Sequence, residues 1–276
     1  MIEAYIYDAV RTPRGKGRDG GALNDISPLE LQRQLIQCLP DRTGIDLKKV
    51  DDIILGCVTQ VGEQGGNVAK VSALYSGLPD HVSGITINRY CTSGLDACNF
   101  GAMKIMSNVD DLVLAGGVES MSRVAMLSDK ATFYTDPDVI KRTGFVPMGL
   151  AADLVASLDG ITREECDDYA VRSQQRAAIA QTKGHFSKSL IPIETGENGR
   201  KISLDESIRT TVTPEKLAMF DPIFSEFGKK GYETALKSAF PELDELRYIH
   251  HPGNSPGIVD GASLVVIGSA GAGKKY

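Results

Sequence analysis

The residues of this 276-residue chain best suited to covalent chemistry are its five cysteines, and Cys91 stands apart from Cys38, Cys57, Cys98 and Cys166 by its position. The run Gly84–Tyr90 is rich in β-branched and aromatic residues and predicts a strand. From Ser93 the apolar positions Leu95, Cys98, Ala102 and Ile105 recur at helical spacing and predict a helix over 93–107. A thiol at such a junction lies near the unpaired N–H groups and the positive dipole end of a helix, which favour the thiolate. Cys91 is therefore the candidate nucleophile and its own N–H a candidate oxyanion donor, with small Ser93 and Gly94 leaving room for a substrate. Cys98 falls on the stripe of Leu95 and Ala102 and reads as core, as do Cys38, Cys57 and Cys166. The five lie far apart without paired metal-ligand spacing, so no metal site is expected, and an odd number fits a reducing compartment.

The elements that must position Cys91 follow from the pattern around it. Strand-like runs at Ala4–Val10, Asp52–Val58, Gly84–Tyr90 and Asp111–Gly116 alternate with helical patterns at Pro28–Pro40, Asn67–Gly77 and Ser93–Ser107, which predicts a layered α/β unit with a buried sheet. From Glu119 to about Tyr248 the character changes to Pro- and Gly-rich connections and a charged helix over Thr162–Lys183, before Ser263–Gly268 reads as a further strand. The economical division is a discontinuous core of residues 1–119 and 248–276 with a mostly helical insert at 120–247. At 42% hydrophobic and 24% charged the chain has the composition of a soluble globular protein, and its net charge of −6 argues against nucleic acid or an anionic membrane as partner. It has no apolar run of about 18 residues and no signal-peptide pattern before the first strand, so the cytoplasm is the expected location.

The string Asn88-Arg89-Tyr90-Cys91-Thr92-Ser93-Gly94 resembles the N-x-x-C-x-S-G signature around the acyl-accepting cysteine of thiolases, the acyl-CoA acyltransferases that make or cleave 3-oxoacyl-CoA. Other segments agree in order along the whole chain. Val10–Gly15 is similar to the family's opening segment, Gly116–Ser122 to its G-G-x-E-S-M-S turn, Met148-Gly149 with Ala152 to M-G-x-x-A, Ile161–Glu164 through Ser173–Ala177 to the next helix, and Gly253-Asn254 to Ala262 to G-N-x-x-G-x-x-D-G-A. The resemblance implies a layered thiolase-like N-terminal half, a mixed sheet with helices, carrying an inserted, mostly helical loop domain that binds coenzyme A. It implies acyl-CoA, acetyl-CoA and free CoA as substrates rather than bound cofactors, and a homodimer or tetramer.

For coenzyme A the resemblance points to Arg209, in the D-E-x-x-R-like Asp205–Arg209, with Lys216 and Leu217 nearby, to Met148 along the pantetheine tunnel, and to Gly253 and Pro256 in the last turn. Pro147 and Pro256 stand where many members carry a histidine and a serine, which leaves direction and chain length open, as does the extended stretch Ser225–Tyr248. Thiolases continue into a second half with N-E-A-F, G-H-P and C-x-G-G-G segments that do not occur here; the four histidines are His81, His185, His250 and His251, none in a G-H-P context. The chain is expected to be the N-terminal portion of such an enzyme, lacking part of the catalytic set. A ketoacyl-synthase-type condensing enzyme and a catalytically silent acyl-CoA-binding or partner-binding fragment are the alternatives. The C-terminal Gly268–Lys275 matches the start of a phosphate-binding loop but puts Lys275 where a hydroxyl is needed and offers no following helix, so it is discounted.

Overall fold

The computed structural model describes residues 2–196 and 199–273. In chain order the elements are β1 (Ala4–Arg11), β2 (Gly15–Lys16), α1 (Pro28–Thr43), β3 (Asp52–Gly56), α2 (Val68–Tyr75), β4 (Ser83–Ile87), α3 (Ser93–Met106) and β5 (Leu112–Ser120). There follow α4 (Thr132–Thr135), α5 (Pro137–Thr143), α6 (Met148–Leu158), α7 (Arg163–Thr182), β6 (Ile193–Thr195), β7 (Arg200–Ile202), α8 (Pro214–Ala218), α9 (Ser225–Phe227), a π-helical turn at Gly228–Tyr232, α10 (Glu233–Ala239), β8 (Val259–Ser269) and α11 (Ala270–Gly273).

They form two compact units. The first holds the residues up to Asp129, His185–Ser207 and the chain from Ile258 on; the second holds Lys130–Gly184 and Ile208–Gly257. These boundaries differ from the expected insert at 120–247. Residues 185–207 belong with the sheet because their polar groups are satisfied there. The Arg11 guanidinium makes a two-pronged pair with the buried Asp205 carboxylate at 2.8 and 2.9 Å, the Arg14 N–H donates to Asp205 at 2.9 Å, and Glu206 accepts from the N–H groups of Lys16 and Ala22. These bonds hold both carboxyls below their usual range despite the opposing cost of burial. Asp205 and Glu206 therefore fasten the opening Arg11–Ala22 segment.

In the first unit the sheet order is β1-β8-β5-β3-β4, with β2 on β8; β3 runs parallel to β4 and β5, and β8 antiparallel to β5 and β1. Alternate residues of one strand serve opposite faces. Ile53, Leu55, Leu112, Leu114, Leu264 and Val266 pack with the α1 and α2 residues Leu31, Leu35, Val68 and Ala69, whereas Ile54, Val113, Ala115 and Ile267 pack with Ala97 and Ile105 of α3. Strands buried on both faces read as continuous apolar runs, as the mixed α/β reading requires. Helix α1 opens on Ser27, whose hydroxyl accepts the Glu30 N–H, and closes on Gly44 at φ 75°, which only glycine adopts without strain; it runs past Pro40, where it was expected to end. A one-turn helix, α11, lies within the discounted Gly268–Lys275 loop, whose Lys274 and Lys275 fall outside the described residues.

The second unit has its own core, Leu150 and Leu154 of α6 against Leu236, Leu243 and Leu246. Its longest helix, α7, begins with a reciprocal cap in which Thr162 accepts from Glu165 N–H and the Glu165 carboxylate accepts from Thr162 N–H.

Candidate active site

Cys91 lies two residues ahead of α3 on an exposed turn that begins where β4 ends at Ile87. The turn is fastened from both sides. Asn88 Oδ1 accepts the Tyr90 N–H at 2.8 Å while its amide donates to the Val58 carbonyl at 3.2 Å. Ser93 Oγ accepts the Arg89 N–H at 2.8 Å and donates to the Tyr90 carbonyl at 2.5 Å, and Thr92 Oγ1 donates to the Arg89 carbonyl at 2.9 Å. Between these anchors Tyr90 is held at φ 48°, a left-handed conformation that a bulky residue adopts only when its surroundings enforce it. Ser93 is thus not the open approach expected of it; it is buried, and its hydroxyl staples the turn.

The start of α3 rests directly on the strand ends, and glycines make this possible. A Cβ on Gly56 would stand 2.4 Å from the Ser93 carbonyl carbon and 2.5 Å from Gly94 N, and one on Gly117 would stand 2.9 Å from the Gly56 oxygen. The helix face against the sheet is accordingly the small-residue stripe Ser93, Ala97 and Gly101 ending in Ile105, while Leu95 is exposed. The expected Leu95–Cys98–Ala102 stripe was one step off, because close helix–sheet approach selects small side chains over large apolar ones; Cys98 and Ala102 are only partly buried at its edge. Gly56 was overlooked, although a glycine inside a strand-like run signals close backbone approach.

Behind the turn, Glu119 accepts from the N–H groups of Val58 and Thr59 at 2.8 and 3.3 Å and from the Gln64 amide at 2.7 Å, and Gln64 Oε1 accepts the Ser120 N–H at 2.6 Å. The G-G-x-E-S segment thereby fixes the Val58–Gln64 loop, which in turn holds Asn88.

Exposure separates the thiols. Burial, aided by the Glu119 charge, pushes Cys57 up to about 12, and burial also raises Cys38, Cys98 and Cys166. Cys166 is half-buried with Sγ 4.0 Å from His250 Nε2, so it is less of a core residue than expected. Limiting iodoacetamide near neutral pH is expected to label the exposed Cys91 first, and the buried Cys57, whose thiol is pushed up to about 12, far more slowly. Peptide mapping checks this; first labelling at Cys38 or Cys57 would remove Cys91 as nucleophile.

In the second unit a cleft of about 700 Å³ brings together three of the predicted residues, Arg209, Lys216 and Leu217, with Thr210, Thr211 and Phe220. The Arg209 N–H is held by Gln174 Oε1 at 2.7 Å, and Lys216 Nζ donates to the Thr211 carbonyl at 2.7 Å. Thr213 caps α8, accepting the Lys216 N–H. Leu217 is buried, and Gly253 is its packing partner: a Cβ there would stand 2.6 Å from Leu217 Cδ2. Met148, the exposed first residue of α6, and exposed Pro256 are not among the residues lining the cleft. Two cations, hydroxyls and the partly exposed Phe220 ring suit a nucleoside phosphate.

A family model described as thiolase, N-terminal domain, matches residues 4–271. The chain is 36% identical over 293 residues to a beta-ketoadipyl-CoA thiolase of Escherichia coli, covering 98% of this chain and 67% of that protein. It is 38% identical over 230 residues to a 3-ketoacyl-CoA thiolase of Shewanella putrefaciens, covering 81% of this chain and 58% of that one. The crystal structure of the Bacillus anthracis acetyl-CoA acetyltransferase matches all of this chain and 67% of that one, with a TM-score of 0.79 at 31% identity.

Proposed function

The chain belongs to the thiolase family, and from that premise we propose that Cys91 takes an acyl group from an acyl-CoA. The thiolate attacks the thioester carbonyl, the acyl–S bond to coenzyme A breaks, and an acyl-Cys91 thioester results, with CoA leaving as its thiolate and taking the proton that Cys91 gave up to solvent. Passing the acyl group to the α-carbon of acetyl-CoA makes a 3-oxoacyl-CoA, and the reverse is thiolytic cleavage. The observation that carries this reading is the placement of Cys91, exposed on a turn braced by Asn88 and Ser93 ahead of α3. The Arg209–Lys216 cleft is assigned to the nucleotide end of coenzyme A, which enters as substrate rather than resident cofactor. The edge of β4, which among the described residues pairs only with β3, offers a surface for self-association into a dimer, and the cytoplasm is the assigned location. Among the described residues no helix is long and apolar enough to cross a membrane.

Because none of the four histidines lies in a G-H-P context, a base of that type for Cys91 is missing, and turnover of these 276 residues is expected to fall by about 10²–10⁴. Quenched-flow measurement with acetyl-CoA should show one CoA released per chain, followed by little further release. Coenzyme binding without any release would favour a silent acyl-CoA-binding fragment instead. Turnover at the rate of a complete enzyme would show that another base serves the site.

Replacing both Arg209 and Lys216 by methionine is expected to weaken coenzyme A binding about 10–100-fold, as loss of two phosphate-facing cations does. Titration calorimetry checks this, and an unchanged affinity would remove the cleft from the coenzyme site.

A further inference from the structure

The geometry points to Arg163, Asp167 and His251 as positioning residues that hold one wall of the Arg209–Lys216 cleft in place, an inference that rests on the coenzyme reading of that cleft only for the identity of its ligand. None of the three lines the cleft. Arg163, the first residue of α7, donates through Nη2 to the carbonyls of Leu217 at 2.8 Å and Phe220 at 2.7 Å, two residues that do line it. Its Nε donates to Asp167 Oδ2 at 3.0 Å, and Asp167 Oδ1 accepts from His251 Nε2 at 2.8 Å and from the Asn254 amide at 2.9 Å. The His251 ring lies stacked on Phe220, with centroids 5.3 Å apart and planes within 12°, which closes a ring of contacts back to the cleft wall. His251 is fully buried and Asp167 nearly so. Pro252, between His251 and Gly253, offers its carbonyl to Arg209 Nη2 at 3.4 Å, so the same turn reaches the cleft a second time.

These partners fix the state of the imidazole. Nε2 faces a carboxylate and Nδ1 accepts the Gly253 N–H at 3.0 Å, so the ring is the neutral Nε2–H tautomer, assigned from its partners. The charged and titratable groups facing it among the described residues are Asp167 and Arg163 from α7 and His250 from its own segment; His250 is itself paired with Asp153 of α6 and beside Cys166 of α7, and the uncharged Phe220 ring packs on it from the segment after α8. Burial outweighs the Asp167 charge and lowers the His251 pKa below the usual 6.5. Protonation would place a second proton against the Gly253 N–H and break that bond. The unfolded chain takes up its proton first as pH falls, so the support of the wall is complete above 6.5 and is lost as pH drops through the lower folded value.

Hydrogen exchange over residues 208–220 of the 276-residue chain tests this without any ligand, and coenzyme A titration on the same samples tests the ligand. Arg163→Met is expected to speed exchange at Leu217–Phe220 by about tenfold or more with exchange in the sheet of the first unit unchanged, whereas Arg163→Lys, which keeps the Asp167 pair but lacks the fork, gives a smaller rise. With rates divided by the intrinsic amide rate at each pH, the wild type is expected to lose protection at 217–220 between about pH 7 and pH 5, and His251→Gln, which keeps a donor toward Asp167 but does not titrate, is expected to flatten that loss. Coenzyme A affinity should follow the same pattern, an acid limb in the wild type and none in His251→Gln. Exchange at 217–220 indifferent to acid and to both Arg163 variants would overturn the inference. If exchange responds as described while the wild type binds no coenzyme A, the network stands and the coenzyme reading of the cleft falls.

Discussion

Gly56→Ala is expected to destabilise the chain by about 3 kcal/mol and to strip Cys91 of its reactivity, although the two residues are far apart in sequence. The added methyl would stand 2.4 and 2.5 Å from backbone atoms of Ser93 and Gly94, and no flexible side chain can yield. The start of α3 must lift from β3, which pulls on the Ser93 staple and the Asn88–Val58 bond that shape the Cys91 turn. Gly94→Ala is the matched control, since its Cβ would meet nothing nearer than the Gly116 oxygen at 3.7 Å, an ordinary contact. Its cost should stay below about 1 kcal/mol. Urea unfolding midpoints and iodoacetamide rates, measured on both variants, check the pair; equal effects would mean that close helix–strand approach does not set the nucleophile's position.

Cys91→Ser should abolish acyl transfer, a loss of at least about 10³ in rate, because a serine hydroxyl is far less ionised than a thiol near neutral pH. Stability should change by less than about 0.5 kcal/mol, since the side chain is exposed. Cys57→Ser gives the reverse: a buried hydroxyl costs about 1–3 kcal/mol while acylation persists. Single-turnover acylation and unfolding of the two variants measure both quantities. Loss of acylation in Cys57→Ser with retention in Cys91→Ser would reverse the assignment.

The alternation of apolar strands with helical patterns made the sheet and its flanking helices legible, with α3 starting at Ser93 as expected and α7 at Arg163–Thr182 inside the expected Thr162–Lys183. What stayed hidden depended on how closely elements approach. Periodicity located α3 but chose Leu95 for the core, because nothing in spacing alone says that a helix lies so near a sheet that only Ala97 and Gly101 fit beneath it. The Asp205–Arg11 pair joins residues far apart in sequence, and a resemblance that grouped Asp205 with Arg209 could not show that the two fall in different units. His250 and His251 were legible only as histidines outside a G-H-P context, since the Asp153 and Asp167 carboxylates that clamp their stretch come from two helices distant in sequence. At the cleft, Arg209, Lys216 and Leu217, which the resemblance placed near one another, line a common surface, while Gly253 packs behind Leu217.

The central claim, that Cys91 is the acyl acceptor, is tested most directly by mass spectrometry of the chain after incubation with acetyl-CoA. Peptide mapping should find one acetyl group per chain, on the peptide containing Cys91, removed by hydroxylamine as a thioester is and absent from Cys91→Ser. An acetyl thioester on Cys38, Cys57, Cys98 or Cys166 with Cys91 unmodified would contradict the account.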